Sequence, residues 1–188
     1  MVSFGWKNNK TKRRSNVAVD ALFKEDPEAA PLSYDDQMRE IENLCNEAID
    51  AAEKSYYRDA QQKFEDALRI VHEMLPESND QELIKKKVKI LEMKAQVLLE
   101  VDKPFQAIKL LEEAIENQSD WWILYQTLGR AQLQLGEPKL ALGNFKKCVS
   151  LDGELAGEVE DDIRTAKMQI AAAKQNPYPA FRLVFEQQ

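Results

Sequence analysis

Catalysis near neutral pH usually rests on a histidine, a coupled pair of carboxylates or an activated thiol, and this chain of 188 residues offers little of that kind. Its single histidine, His72, falls near the end of a helical pattern, where a surface side chain is the simpler reading than a base. Cys45 and Cys148 lie far apart in sequence and have no metal-ligand spacing with His72. Both fit helical positions as small buried side chains in a reducing compartment rather than as a disulfide. No strand is evident, and no glycine-rich phosphate loop follows one. The many acids spread over helix faces as solvated charge. No enzymatic activity, metal or cofactor is expected.

Charge offers a second kind of chemistry. Residues 1–16 hold Lys7, Lys10, Lys12, Arg13 and Arg14 and no acid, a charge of +5 in a chain of net −7, so the remainder carries −12. A basic arm on an acidic body suits a nuclear-import signal or a polyanion contact. With the cluster Lys85, Lys86, Lys87 and Lys89, the segment Lys10–Arg14 supports an alternative reading as an RNA- or DNA-contacting factor. The plainer reading is an import signal in the arm and a solvated helix end in the cluster, and the acidic body argues against a dedicated nucleic-acid surface. A nuclear or nucleo-cytoplasmic location is therefore expected. No apolar run reaches the roughly 18–20 residues of a membrane span, and the N-terminus lacks a secretory pattern.

The elements that would position these residues are helices. Ala60, Ala107 and Ala141 are each followed four residues later by Phe64, Leu111 or Phe145, and seven later by Ala67, Ala114 or Cys148. The last two sets are 34 residues apart, the period of a helix–turn–helix unit that stacks on its own copies. Small residues allow two helices to cross closely, and the bulky one fills the gap between pairs. Repeats are expected at about 41–74, 88–121 and 122–155. Ala60 and Ala107 are 47 apart, so 13 extra residues separate the first two repeats. Leu68, Val71 and Leu75 can pack against Leu83, Ile84, Val88 and Leu91, which makes the insert (about 75–87) a protruding extension of a helical hairpin. Ser33 with Asp36 is similar to a capping box, Pro104 and Pro138 suit helix starts, Ser119 and Asp120 can cap a helix, and Gly136 suits a helix end. A half-polar helix over 154–175 would cover the last repeat. The expected architecture is an all-α solenoid over 33–175, with a mostly disordered arm at 1–32 and an apolar tail at 176–188.

This pattern resembles the tetratricopeptide repeat family. Two segments narrow the likeness to a group of small eukaryotic three-repeat members: Met1, Ser3, Phe4, Gly5, Trp6 and Lys7 at the start, and Gln126-Thr127-Leu128-Gly129-Arg130-Ala131-Gln132-Leu133 followed by Leu135-Gly136-Glu137. Glu92-Met93-Lys94 and Gln96-Val97-Leu98 are similar too. The resemblance implies an intracellular adaptor without enzymatic activity. Members that hold the acidic C-termini of heat-shock chaperones use a clamp of Lys, Asn and Arg side chains. The matching positions here are Cys45, Ile49, Met93, Ile123 and Thr127, none of which can make a charge-assisted bond to a carboxylate. A carboxylate-clamp co-chaperone is not expected.

In this repeat the first helix of each pair lines the concave face. Projecting it gives Glu42, Cys45, Ile49 and Glu53, then Lys89, Glu92, Met93, Gln96 and Leu99, then Ile123, Gln126, Thr127, Arg130 and Leu133. An apolar floor with one central arginine suits an amphipathic helix or an extended apolar peptide from a protein partner, bound by a chain that is monomeric alone. Phe4 and Trp6 are isolated aromatics of the kind that anchor a linear motif. In the tail, Tyr178, Phe181, Leu183, Val184 and Phe185 suit packing back onto the last helices. Trp121 and Trp122 are adjacent, so one is expected in the core and the other at least partly exposed.

Overall fold

The computed structural model describes residues 32–75 and 80–175. The expectations for Phe4, Trp6, Lys10, Lys12, Arg13, Arg14 and the 176–188 tail fall on residues outside the described ones.

Among the described residues, seven α-helices follow one another: α1 (Tyr34–Glu53), α2 (Tyr57–Met74), α3 (Gln81–Glu100), α4 (Pro104–Asn117), α5 (Trp122–Gln134), α6 (Pro138–Leu151) and α7 (Glu160–Gln175). They pair antiparallel as α1/α2, α3/α4 and α5/α6, and each pair stacks on the next, with α7 against α6. The alanine frame explains the pairing. Ala60, Ala107 and Ala141 have no exposed surface, and neither do Ala67, Ala114 and Cys148 seven residues on. Phe64, Leu111 and Phe145, between them, are at most 1 % exposed. Small side chains thus bring the helices together while a large one fills each layer.

The turn inside each pair is built identically. In α1, the Tyr56 N–H donates to the Ala51 carbonyl and the Ser55 N–H to that of Ala52. Lys103 and Asp102 donate in the same way to Leu98 and Leu99, and Glu137 and Gly136 to Gln132 and Leu133. This double bond pattern closes a helix through one residue in the left-handed region. Ser55 (φ 62°), Asp102 (φ 55°) and Gly136 (φ 75°) fill that position. Only the third is the residue type that adopts it without steric cost. Pro104 and Pro138 then occupy the first turn of α4 and α6, where a missing N–H is harmless.

The described flanks of the extension expected at 75–87 are tied to the rest of the array: the Tyr34 hydroxyl of α1 donates to Asp80, and Leu83 is fully buried. The Asp80 side chain also accepts the Glu82 N–H at 2.8 Å and caps α3. Two expectations need correction. First, Ser119 and Asp120 do not cap α5; Trp121 takes that position and no side chain closes it. The Ser119 carbonyl instead accepts the Tyr125 hydroxyl at 2.8 Å. Second, the helix expected over 154–175 begins at Glu160. Gly153–Ala156 forms a 3₁₀ turn, started where the Asp152 side chain accepts the Glu154 N–H, and Gly157 keeps the chain from joining it to α7.

Candidate functional site: a trough between α1 and α3

α3 packs directly on α5, whereas α1 and α3 are held apart by a trough. Its first hollow, about 270 Å³, has a floor of Ile41, Cys45, Ile49, Ile90 and Met93 and a charged edge of Glu42, Lys86 and Lys89. A second hollow of about 300 Å³ continues past Ile49 and Met93 to Tyr57, Phe64 and Val97, and its charged edge is Glu53 and Glu100. Ile49 and Met93 line both hollows and form the ridge between them. The spacing follows from the helices. Cys45, Ile49 and Glu53 recur every fourth residue on α1, as do Lys89, Met93 and Val97 on α3, so each set lines one stripe.

The trough is basic at one end and acidic at the other. Lys86 pairs with Glu42 across it, while Lys89 is exposed one turn further on. Lys86 both donates a hydrogen bond to the Glu42 carboxyl and lies beside it as a positive charge, which holds that carboxyl below its ordinary range. The half-buried Cys45 thiol is pushed up by burial, the direction of an unreactive thiol. Chemically this is a binding surface. Among the described residues, no cluster of three or more His, Cys, Asp or Glu is arranged to hold a metal ion.

Seven of the projected positions, Glu42, Cys45, Ile49, Glu53, Lys89, Met93 and Gln96, are brought together along this trough. The others are not. Gln126 and Thr127 are 7 % and 3 % exposed, a correction to their place in the floor. The Thr127 hydroxyl donates to Glu92 Oε1 at 2.7 Å, and Gln96 Nε2 donates to the same oxygen at 2.6 Å. Glu92 is itself 3 % exposed, and burial pushes its carboxyl above the ordinary value against the pull of those two bonds and of Arg130. Arg130 is no central free cation, because its Nε donates to Asp162 of α7 at 2.9 Å. Leu133 packs with Ala141, Phe145 and Ala166 under α7, and Leu99 and Ile123 are half-buried, Leu99 against the main core. The α5 stripe is covered by side chains from both sides, Glu92 of α3 and Asp162 and Ala166 of α7, whereas the α1–α3 stripe is left open.

The two tryptophans also divide differently. Both are half-buried: Trp121 packs on the main core and Trp122 on the small cluster of Cys148 and Val159. The lysine cluster is divided as well. Lys86 and Lys89 edge the trough, Lys87 turns to α4 and pairs with Glu113 at 2.6 Å, and Lys85 is exposed. The four do not form one phosphate-binding surface. His72 is exposed, in a shallow hollow beside Glu65, Arg69, Glu73 and Lys94. Asp80 and Glu92 were missed as structural carboxylates. An aspartate just before an apolar helical pattern was the available signal for the first. Nothing in the sequence marked the second.

Helical pairs of this geometry, stacked in series with the alanines at the crossings, define a tetratricopeptide repeat array, and that is the fold of this chain. No family model matches it. It is 31 % identical over 164 residues to Tetratricopeptide repeat protein 33 of Homo sapiens, covering 78 % of this chain and 58 % of that protein. To the Xenopus laevis protein of the same name it is 44 % identical over 57 residues, covering 30 % of this chain and 22 % of that one. The chain thus spans 58 % of the length of the human relative. Among solved structures it is similar to the TPR2B domain of yeast Sti1 in its pHsp70 complex, with TM-score 0.59 and 19 % identity over 70 % of this chain and 98 % of that one. The C-terminal TPR-containing domain of a Plasmodium falciparum FK506-binding protein gives 0.64 and 17 %, covering 78 % and 98 %. At such identities these structures speak for the fold. Proteins of this fold generally act as non-enzymatic scaffolds for other proteins.

Proposed function

We propose that this chain is an adaptor that holds a segment of a protein partner in the α1–α3 trough. The observation that carries the reading is the pair of apolar hollows on either side of the Ile49–Met93 ridge, open to solvent and walled by two helices. A helical or extended segment with one apolar side chain for each hollow fits that shape. The end charges set its direction: an acidic group beside Lys89 and a basic one beside Glu53 and Glu100. The positions matching a carboxylate clamp are Cys45, Ile49, Met93, Ile123 and Thr127, so binding of acidic chaperone tails is not part of this proposal.

The test is an affinity purification of wild type against an Ile49→Glu plus Met93→Glu variant. Ile49 is 39 % exposed, while Met93 is half-buried against the main core, so circular dichroism must show that the variant keeps its helices and Ile49→Glu alone serves as the milder variant. Loss of specific partners with unchanged helicity supports the trough, and an unchanged partner set refutes it. The basic segment Lys10, Lys12, Arg13 and Arg14 supports a nuclear role for the adaptor. A fluorescent fusion carrying the intact arm should accumulate in the nucleus; exclusion from the nucleus would refute that part.

A further inference from the structure

The last helix is seated unevenly. On one face of the terminal segment Val159 and Ala166 are fully buried, Ile170 is half-buried, and Ala173 is exposed. These positions share a stripe, so the falling burial means that the second half of α7 leaves α6 partly uncovered. At the start of α6, Leu140 is 56 % exposed although it belongs to the same seam. The seam opens as a cleft of about 390 Å³ whose apolar lining is Pro138, Leu140, Ile170 and Ala173 and whose charged residues are Glu137, Lys139 and Lys174. The trough is at the other end of the array, so this cleft has no part in the reading above.

We propose that residues 177–185 of this chain cover that cleft and complete the array's apolar core. The chain passes Lys174, a wall of the cleft, and leaves α7 at the next residue, Gln175. The 13 residues that follow carry Tyr178, Phe181, Leu183, Val184 and Phe185, and their only charges are Arg182 and Glu186. Pro177 and Pro179 oppose any continuation of α7 into this stretch. A segment tethered this closely reaches the cleft at an effective concentration of about a millimolar or more, far above that of a free partner.

Hydrogen exchange of the full chain tests this, with Leu140→Asp, with Phe181→Asp plus Phe185→Asp, and with all three substitutions together. Leu140 is largely exposed, so its substitution leaves the helices intact, which circular dichroism checks; the tail variant decides alone if it does not. Amides of 166–175 should exchange about tenfold faster in either variant, and the combined variant should be no faster than each. Unchanged exchange in the tail variant overturns the proposal. So does acceleration by Leu140→Asp alone, which would assign the cleft to another molecule. Sedimentation as a dimer that Leu140→Asp dissociates would identify that molecule as a second copy and equally overturn it.

Discussion

The same stripe of the same repeat does opposite work in the two halves of this molecule. Along α1 and α3 it is an open apolar floor; along α5 it is closed, with Thr127 bonded to Glu92, Arg130 tied to Asp162 and Leu133 under α7. Position in the repeat therefore does not decide whether a residue binds. What covers the stripe does: Glu92 of α3 and Asp162 and Ala166 of α7 close that of α5, while the hollows along α1 and α3 stay open. Within the closed half, Gly129 lets the Phe145 ring of α6 come into contact with the backbone of α5.

That contact is where the contrast breaks most severely. A Cβ at position 129 would lie 2.4 Å from the buried Phe145 ring, so Gly129→Ala should destabilise the closed half by about 2–3 kcal/mol in chemical denaturation. A loss below about 0.5 kcal/mol would mean that the ring moves freely and the closed half is loosely packed.

Glu92 sharpens the comparison through pH. Its carboxyl is raised in the folded state, so between the ordinary value of 4.5 and the raised one the native chain holds more proton than the unfolded chain. Stability from this group is full below that window and falls as pH rises through it. Glu92→Gln keeps an acceptor for Thr127 and Gln96 and removes the buried charge. It should stabilise by about 1 kcal/mol at pH 7 and by nearly nothing at pH 4. Equal thermal shifts at both pH values would contradict a buried carboxylate penalty.

The shared turn gives a smaller pair of effects with opposite signs. Gly136→Ala places a side chain at φ 75° and should cost about 1 kcal/mol, while Ser55→Gly at φ 62° should gain up to about 1 kcal/mol. Two shifts of the same sign would show that the turns differ in more than residue type. Smallest of all, Ile49→Glu in the open floor should change stability by less than about 0.5 kcal/mol.

The fold was legible because its signals are local and repeated. The alanine, bulky and small triplets gave the crossings, Pro104 and Pro138 the starts of α4 and α6, and Gly136 the end of α5. The site was only half legible, because periodicity assigns a face to a helix but does not say what stands opposite that face. Thr127 and Gln126 project like Met93, yet α3 covers them. Arg130 projects like Lys89, yet Asp162 reaches it from a helix 32 residues further on. The start of α7 was misread for a local reason: Gly153 and Gly157 interrupt a pattern whose apolar spacing reads as continuous.

Photocrosslinking of the full chain tests the open floor most directly, with a photoreactive residue in place of Ile49 or Met93 in the trough, or of the exposed Glu112 on α4. The account predicts one discrete adduct with the same protein from both trough positions and none from position 112. Adducts of equal yield from all three positions, or from Glu112 alone, would contradict it.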